Sequence, residues 1–578
     1  MHVKPGNIKI IGSLIIASIF ATAHLSIAQG TVSAQTSAEK AWIFFEDKGD
    51  QQPALSKAAL DISHHALERR AKVNRSNNLL TYADLPVYQP YVQTISDYVQ
   101  NIRIKSRWLN AVSVEAHSSQ LNTIQLLDFV SNVQPVMQYI REEPQSVPAD
   151  GRPVQPTLGK TTAMDYGPSE TQLNQIAIPA LHQLGYYGQG VIVAMLDDGF
   201  NLLNIHQTFD SLHVLDTYDF IHDDPYVDDS QLEASEGWHG TMTLSTIAGY
   251  TPGELIGPAF KASFLLAKTE VNASETPVEE DYWVAGLEWA ERKGADIVSS
   301  SLGYIDWYTW EDMDGQTAVT TMAADTAYAK GVQVINSAGN EGYNASNNTL
   351  IAPADGQEVL AIAAVDANGA RASFSSVGPS ADGRTKPDLA AMGQDVYVAR
   401  YWDSTGFTYS NGTSFSCPLA AGASAVLLSA YPDLTPEDLQ AALRSTASQF
   451  DNPDNFLGWG IISAELAYYF LDSAGLDDGS YPRIPDQLTL YPNYPNPFNN
   501  GTTVSYALPA VSRVFLSIYN TNGRQVRNIN LGNQSRGNKT FNLILDGVST
   551  GIYYYTVEAH EYTSGKTYQK TGKMVYIK

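Results

Sequence analysis

The chain has 578 residues and a mass of 62.9 kDa, which predicts several domains rather than one. Hydrophobic residues make up 43% and charged residues 17%, a composition that excludes a largely disordered chain. The single cysteine, Cys417, rules out an intramolecular disulfide and a zinc site built on several cysteines. A formal net charge of −26 argues against a general nucleic-acid binder, because phosphates would be repelled.

The N-terminus predicts a secretory signal peptide over residues 1–28. Lys4 and Lys9 precede an apolar run over residues 10–28 that ends in Ser-Ile-Ala, a small-x-small cleavage site. We expect cleavage after Ala28, with Ala34 as the alternative. An uncleaved membrane anchor is the competing interpretation, but the Gly, Ser, Thr and His residues of the run make it a weak span. Export without disulfides is typical of a bacterial envelope protein or a secreted enzyme.

Residues 35–143 have the size and pattern of a small α+β domain. Helical spacing extends over residues 54–73, and alternation over residues 101–108 and 111–115 predicts strands. Residues 144–165 are rich in Pro, Gly and Thr, which predicts a linker.

Residues 166–472 carry most of the negative charge of the chain, which predicts a separate domain with boundaries near 166 and 473. Within this block apolar strands alternate with helices. Strands are expected over residues 191–196, 262–267, 296–301, 332–336 and 359–365, and helices over residues 282–293 and 318–330. Buried strands joined by helices predict an α/β fold, a parallel sheet with helices on both faces.

The C-terminal part predicts an all-β domain. Residues 473–486 form a second Pro/Gly/Asp-rich linker. Residues 487–578 then contain turn signals at short intervals, separated by alternating segments such as 514–519 and 552–557. This pattern is typical of a β-sandwich.

Four polar segments of the central block carry residue types that serine hydrolysis needs. They contain Asp197, His239, Asn340 and Ser414, each next to a predicted strand or helix. A serine hydroxyl is a weak nucleophile, so an imidazole must remove its proton and a carboxylate must orient that imidazole. An Asn amide and a backbone N–H at a helix start are suited to stabilising the oxyanion. Each segment alone is more typical of an ordinary turn or loop.

The order Asp, His, Asn, Ser resembles the subtilase family of serine peptidases. The resemblance covers residues 170 to about 470 and includes further segments at residues 300–303, 374–379, 386–393 and 458–461. It implies a subtilisin-like fold, with Asp197 as the orienting acid, His239 as the general base and Ser414 as the nucleophile. It also implies that Asn340 donates to the oxyanion together with the backbone N–H of Ser414.

The resemblance further implies that the substrate backbone pairs with a cleft segment formed by Ser301, Leu302 and Gly303. Three positions depart from the family pattern. Asp198 replaces the usual Ser or Thr after the acid, Met242 replaces a His, and Cys417 replaces a Ser. None of these changes removes a predicted catalytic group, and we expect Cys417 to be a buried small hydrophobe rather than a second nucleophile.

Clustered acids over residues 210–236 have two interpretations. Hard cations favour carboxylates, so a calcium loop is one; a solvated, salt-adapted surface loop is the other. The spacing of Asp223, Asp224, Asp228, Asp229 and Glu233 matches no known cage, which favours the solvated loop. No cofactor is required for the predicted chemistry, and a structural calcium ion has no clear motif here. The acids at residues 279–281 are expected to begin a helix, whose dipole favours them there.

The flanking domains fit this family. Residues 35–143 resemble a subtilase propeptide, which implies that the chain's own propeptide inhibits it and is removed in the 144–165 maturation region. Residues 487–578 resemble a type IX secretion sorting domain, in particular at residues 491–500, 551–555 and 572–575. That resemblance implies the type IX secretion machinery as a partner. It also implies export through the periplasm and outer membrane to the surface or medium. A carbohydrate- or substrate-binding sandwich is the alternative.

The sequence therefore predicts a secreted serine endopeptidase that hydrolyses protein or peptide substrates through an acyl-enzyme, with no nucleic-acid partner. A catalytically idle surface adhesin on the same scaffold is the alternative from another class, and the four intact polar residues argue against it. An esterase is a third hypothesis, but the Gly-x-Ser-x-Gly pattern of that class is absent around Ser414.

Overall fold

A computed structural model describes residues 38–49, 61–74, 79–136, 164–230, 237–271, 278–305, 307–473 and 488–577, apart from 494, 500, 510–511, 535–536, 546 and 562–565. The predicted signal peptide (1–28) and nearly all of the predicted linkers 144–165 and 473–486 lie outside the described residues.

The N-terminal domain is a four-stranded antiparallel sheet with short helices. The strands lie in the order Asn101–Ser106, Ala111–Ala116, Glu39–Phe45 and Val130–Val136. The helices span His64–Val73, Gln89–Ser96 and Ser118–Ile124. Alternation along the Glu39–Phe45 strand divides its side chains between two cores. Ile43 packs within the N-terminal domain, whereas Trp42 joins the core of the central domain.

The helical pattern predicted over residues 54–73 is only partly a helix. Residues 61–63 are not α-helical, and the helix begins at His64, because the Ser63 side chain accepts a hydrogen bond from the Ala66 N–H at 3.1 Å and caps it. Residues 50–60 lie outside the described part of the chain.

The central domain contains a seven-stranded sheet in which the paired strands are parallel. From one edge to the other its strands are Leu389–Met392, Leu360–Val365, Gln333–Ser337, Ile297–Ser300, Ile192–Asp197, Ser263–Lys268 and His213–Asp219. The predicted α/β fold is confirmed, and each of the five predicted strands is present within one or two residues.

Helices cover both faces of this sheet. One face packs against helices Glu170–Gln175, Ile178–Gln183, Trp238–Ala248, Thr413–Ala430, Pro436–Thr446 and Ala464–Ser473. The other packs against Val278–Lys293 and Val319–Ala329. Neighbouring residues of one strand show the division, since Met195 belongs to the first core and Leu196 to the second. Short antiparallel hairpins, Tyr250–Thr251 with Leu255–Ile256 and Val396–Ala399 with Phe407–Ser410, lie outside the main sheet.

Among the described residues one helix, Thr413–Ala430, is long and apolar enough to span a membrane by length and composition. Nearly all of it is buried in the central domain, where it packs against four strands of the sheet. Its apolar character is therefore that of a core helix.

The C-terminal domain is all β, as predicted. One antiparallel sheet contains Thr489–Leu490, Gly501–Leu508 and Gly537–Ile544, and the other contains Gln525–Gln534, Ser512–Asn520, Gly551–Glu561 and Thr567–Tyr576. Side chains from both sheets form one core, which includes Val504, Leu516 and Tyr555. Two sheets facing each other across a shared core form a sandwich.

Candidate active site

The candidate residues meet at the carboxyl edge of the parallel sheet. Asp197 ends the Ile192–Asp197 strand, Ser301 directly follows Ile297–Ser300, and Asn340 follows Gln333–Ser337. These three strands are neighbours in the sheet. Because parallel strands end at the same edge, their terminal residues converge there, which is where open α/β sheets place their ligands.

Asp197 and His239 form the central contact of this edge. The His239 Nδ1 lies 2.6 Å from Asp197 Oδ1. The backbone N–H of Asp198 donates to the same oxygen at 2.9 Å, and the Thr243 hydroxyl donates to Oδ2 at 2.8 Å. The Asp197 side chain is fully buried, so its charge is held by three donors in place of water. With Nδ1 committed to the carboxylate, Nε2 is the imidazole nitrogen left to exchange a proton.

Asp198 fixes the backbone at the start of the histidine helix, Trp238–Ala248. Its Oδ2 accepts from the N–H of His239 at 3.1 Å and its Oδ1 accepts from the N–H of Gly240 at 2.8 Å. These are orphan donors of the first helical turn, which a carboxylate satisfies well. A side chain at Gly240 is excluded by a different neighbour, because a Cβ there would lie 2.0 Å from the Gly199 carbonyl oxygen.

The environment of the imidazole favours its protonated form. Burial lowers the pKa of His239, but the charge and hydrogen bond of Asp197 outweigh it, and the charge of Asp198 adds to them. The pKa of His239 is thereby raised to about 9.

Ser414 is the second residue of the serine helix, Thr413–Ala430. Its hydroxyl donates to the Ser301 carbonyl oxygen over 3.4 Å, and the Ser301 hydroxyl donates back to the Ser414 carbonyl oxygen at 2.8 Å. The ring of the next residue, Phe415, lies 6.2 Å from the His239 ring between centroids. The structure thus brings the serine helix start against both the cleft segment and the imidazole.

The Asn340 side chain is oriented by Thr413. The Asn340 Oδ1 accepts from both the N–H and the hydroxyl of Thr413, at 2.9 and 3.0 Å. The opposite end of the amide, Nδ2, therefore faces Gly412, whose φ of 150° suits glycine. A Cβ on Gly412 would lie 3.8 Å from Asn340 Nδ2 and 3.7 Å from the Ser414 backbone nitrogen. Two N–H donors thus border one small space that only a glycine leaves open.

The remaining cleft residues are placed by their neighbours. The Leu302 carbonyl oxygen accepts a hydrogen bond from Asn336 Nδ2 at 2.9 Å, and Gly303 lies against the Ile351 side chain. Ser301 is the one of the three that contacts Ser414 directly.

Cys417 is buried, as expected, and its Sγ lies 3.3–3.4 Å from the carbonyl oxygens of Ser300 and Ile335. Burial raises the pKa of this thiol to about 12, so it is not a thiolate at neutral pH.

Asp197, Asp198 and His239 are also the one group of three metal-ligating side chains that converges within 4.8 Å among the described residues. Their oxygens already accept from N–H and O–H donors, as given above. N–H and O–H donors thus supply the positive partial charge around these oxygens. We therefore interpret the group as a hydrogen-bonded acid–imidazole pair with a helix cap.

Lys268 explains part of the acidic segment over residues 210–236. The Lys268 ammonium is buried, forms an ion pair with Asp229, and lies 3.7 Å from Asp219 Oδ2. Asp223 accepts from the Tyr218 hydroxyl at 2.5 Å. A protein ammonium therefore supplies positive charge beside Asp219 and Asp229, two acids of this segment.

Family models match all three domains. The subtilase family model matches residues 188–460, a Peptidase S8 propeptide domain of Bacteroidota matches residues 40–149, and a secretion system C-terminal sorting domain matches residues 493–570. Subtilisin DY of Bacillus licheniformis is 34% identical over 285 residues, 49% of this chain and 92% of that protein. The chain belongs to the subtilase family.

A second curated relative agrees with this assignment. Subtilisin NAT of Bacillus subtilis subsp. natto is 33% identical over 300 residues, covering 51% of this subtilase and 70% of that protein. A solved protease of Pseudoalteromonas arctica is 23% identical with a TM-score of 0.42, covering 53% of this chain and 99% of that chain. This subtilase is a subtilisin-like serine protease with a propeptide, and its type IX sorting domain directs it across the outer membrane to the cell surface or medium.

Sequence reasoning missed several residues that build the site. Thr243 lies four positions after His239 and so shares its helix face, a spacing from which its contact with Asp197 could have been inferred. Thr413 and Lys268 gave no comparable signal, because their roles depend on contacts between segments distant in sequence.

The propeptide packs on the interface helix, Val278–Lys293, of this subtilase. Asp281, in the first turn as predicted, is not solvated: it accepts from the Ser113 hydroxyl and forms an ion pair with Arg103 at 3.3 Å. Seven residues on, Glu288 accepts from the Ser106 hydroxyl at 2.6 Å and from two propeptide backbone N–H groups. Residues seven apart share one helix face, so this face is an acidic stripe matched by propeptide donors.

A buried five-charge cluster continues that stripe. Glu291 forms ion pairs with Arg69 and with Arg70, the latter at 2.7 Å. Arg70 also reaches Asp84 at 2.9 Å, and Lys330 of the peptidase reaches the same carboxylate at 2.8 Å. All five side chains are less than a tenth exposed. Each charge is costly to bury alone, so the cluster ties the propeptide to this particular surface.

Proposed function

We propose that this subtilase is a secreted endopeptidase in which Ser414 is the nucleophile, His239 the general base and Asp197 the acid that orients it. The observation that carries the proposal is the 2.6 Å contact between His239 Nδ1 and the buried Asp197 carboxylate, at the edge where the serine helix begins. A buried carboxylate on Nδ1 both selects the tautomer and stabilises the imidazolium that forms during the reaction.

Acylation begins when Ser414 Oγ gives up its long 3.4 Å contact with the Ser301 carbonyl and turns toward the imidazole. His239 Nε2 takes the hydroxyl proton as Oγ bonds to the scissile carbonyl carbon, and the carbonyl π electrons move to its oxygen. Asn340 Nδ2 and the Ser414 N–H, which border the space beside Gly412, donate to that oxyanion. When the C–O double bond re-forms, the C–N bond breaks and the imidazolium gives its proton to the leaving amine.

Deacylation repeats these steps with water. His239 removes a proton from water as the hydroxide oxygen bonds to the ester carbon, and Ser414 Oγ leaves with the proton from the imidazolium. The chemistry needs no metal ion or other cofactor. The substrate is an extended protein or peptide chain whose backbone pairs with the segment of Ser301, Leu302 and Gly303.

The propeptide is proposed to be the enzyme's own inhibitor. Its sheet and its Arg69 and Arg70 side chains bury matched charges against the interface helix, so it binds as a folded unit and not as a loose tail. Cleavage is expected within the 144–165 maturation region, giving a mature chain that begins near Tyr166. The type IX secretion machinery is the proposed partner of the sorting domain.

A catalytically idle adhesin is the competing function. A binding protein would have no use for a carboxylate that selects the tautomer of the imidazole, or for two N–H donors that border the same space. A serine esterase is less well supported, because the Gly-x-Ser-x-Gly pattern of that class is absent around Ser414.

Replacement of Ser414 tests the nucleophile. Ser414→Ala is expected to abolish peptide hydrolysis and labelling by a fluorophosphonate while leaving the fold intact, and Asn340→Ala to lower kcat about 10²–10³-fold by loss of one oxyanion donor. Cys417→Ala is the control, because its sulfur faces backbone carbonyls and not the site. Turnover by purified Ser414→Ala, or a wild-type chain that the label does not modify, would reject the proposed triad.

The pH dependence of kcat/KM tests the imidazole. His239 acts as a base only when neutral, and its pKa is raised above the ordinary 6.5, so kcat/KM is expected to rise with pH beyond the neutral range. Asp198→Asn removes a negative charge that favours the imidazolium, which should move the midpoint to lower pH. Asp223→Asn removes the same charge from an exposed position and serves as the control. Equal midpoints for Asp198→Asn and wild type would contradict this account of His239.

Glu291→Gln tests how the propeptide is held. The substitution leaves Arg69 and Arg70 buried without their shared carboxylate, which should weaken propeptide docking by about 3–5 kcal/mol. In a Ser414→Ala chain, which stays intact, hydrogen exchange should rise in both the His64–Val73 and the interface helices. Lys293→Gln, an exposed charge on the same helix, is the matched control. Unchanged exchange in Glu291→Gln would show that the cluster does not hold the propeptide.

Truncation tests the sorting domain. A chain ending at about residue 478 keeps every proposed catalytic residue, so it is expected to fold and to cleave peptides normally in solution but to remain in the periplasm of its host. The full-length Ser414→Ala chain is the control for export independent of activity. Truncated enzyme found at the surface or in the medium would contradict the proposed role, and loss of activity in the purified truncation would assign the domain a structural one.

A further inference from the structure

An aromatic strip extends from the imidazole to the protein surface. The Trp238 ring lies edge-on to the His239 ring with centroids 5.5 Å apart, and the Tyr401 ring lies 5.7 Å from that of Trp238. Trp402 continues the strip, with its ring 4.5 Å from Tyr401 in a T-shaped arrangement. The proposed mechanism uses none of these three aromatic residues.

The outer end of this strip is open to solvent. The Trp402 side chain is 60% exposed, and Trp238 and Tyr401 are half-buried. A tryptophan is an unusual residue to leave in water, and contiguous exposed aromatic surface is typical of a binding site. The Arg400 guanidinium lies 5.9 Å from the Trp402 ring centroid and 3.9 Å from the Asp403 carboxylate, so the strip ends beside an ion pair.

The rings are held by rigid elements. Trp238 is the first residue of the histidine helix, and Tyr401 and Trp402 follow the Val396–Ala399 strand closely in a hairpin. The turn of that hairpin is closed by a hydrogen bond from the Arg400 N–H to the Gly406 carbonyl oxygen at 2.9 Å. Asp403 accepts from the N–H and hydroxyl of Thr405, each at 3.1 Å. A surface that is already ordered loses little conformational freedom when it binds a ligand.

We propose that Trp238, Tyr401 and Trp402 form a subsite for an apolar or aromatic side chain in the leaving-group half of the substrate. The inference rests on the proposed function. The imidazole must deliver its proton to the leaving amine, so surface bordering His239 lies beside the chain that follows the scissile bond. The acyl half is assigned to the segment of Ser301, Leu302 and Gly303. An extended peptide advances about 3.3 Å per residue, which places its second or third residue after the scissile bond over the rings.

Internally quenched peptides test this subsite in the mature enzyme. The peptides share one acyl half and carry Phe, Leu, Ala, Glu or Lys at the second or third position after the scissile bond. We expect kcat/KM for Phe to exceed that for Ala about tenfold, the discrimination typical of an apolar pocket. Trp402→Ala should bring this ratio close to one, and Trp402→Phe should restore most of it. Tyr469→Ala removes an exposed aromatic ring from a different helix and should leave the ratio unchanged.

Two results would overturn the subsite. One is an equal kcat/KM for all five side chains in the wild-type enzyme, and the other is a uniform loss in Trp402→Ala that leaves the Phe-to-Ala ratio intact. Failure of the proposed function has a different signature, since it would appear as turnover by Ser414→Ala or as no turnover of any peptide.

A binding measurement decides the subsite without turnover. A short peptide with a free amino terminus and Phe at its second or third position represents the leaving product. Added to mature enzyme whose serine has been blocked with the fluorophosphonate, it should change tryptophan fluorescence, and the Trp402→Ala substitution in the same blocked enzyme should remove that change. The absence of any change in a chain that retains Trp402 would overturn the proposal even if hydrolysis could not be measured.

Discussion

The buried carboxylate of Asp197 is the interaction on which the site depends. It lies at the end of a parallel strand, where no water reaches it, and an uncompensated charge in that position would be costly. His239, Thr243 and the Asp198 N–H satisfy it, and two of these three donors come from the histidine helix. The charge therefore fixes the position and rotation of that helix as well as the tautomer of its imidazole. The contacts that stabilise the buried charge are thus the same contacts that set the catalytic geometry.

Asp198 shows how a departure from a family pattern is accommodated. A second acid whose oxygen lies within 4.8 Å of Asp197 repels it. This repulsion is offset because the Asp198 oxygens accept from the first N–H groups of the histidine helix, where the helix dipole favours negative charge. The result is a carboxylate that anchors the helix and also raises the pKa of the imidazole that the helix carries. An uncharged Ser or Thr at this position would not contribute the second effect, so this enzyme should differ from relatives more in pH dependence than in mechanism.

The fold and the candidate site could be predicted from sequence to different depths. Continuous apolar runs identify parallel strands well, because a strand buried on both faces has no alternation to obscure it. The order of Asp197, His239, Asn340 and Ser414 pointed to the family, and parallel topology then brings the strand ends together. The orientation of Asn340 by Thr413 depends on a contact over 73 positions, which no local pattern encodes. The start of the helix predicted from residue 54 was missed because of a local contact. The Ser63 side chain caps the helix, and hydrophobic spacing does not reveal a cap.

The propeptide contact explains part of the negative charge of residues 166–472. Asp281, Glu288 and Glu291 lie on one face of the interface helix, where they are buried against propeptide residues that supply their partners. Apolar contacts also hold the propeptide, since its Trp42 and Ala111 join the core of the central domain, but a wholly apolar face would leave more apolar surface exposed once the propeptide had left, and such surface promotes aggregation. Carboxylates avoid this outcome, because water solvates them as soon as their partners depart. The desolvation of these carboxylates opposes binding, and their rehydration favours release. An acidic docking face is therefore suited to a propeptide that is first held and then released, as the zymogen organisation of this exported protease requires.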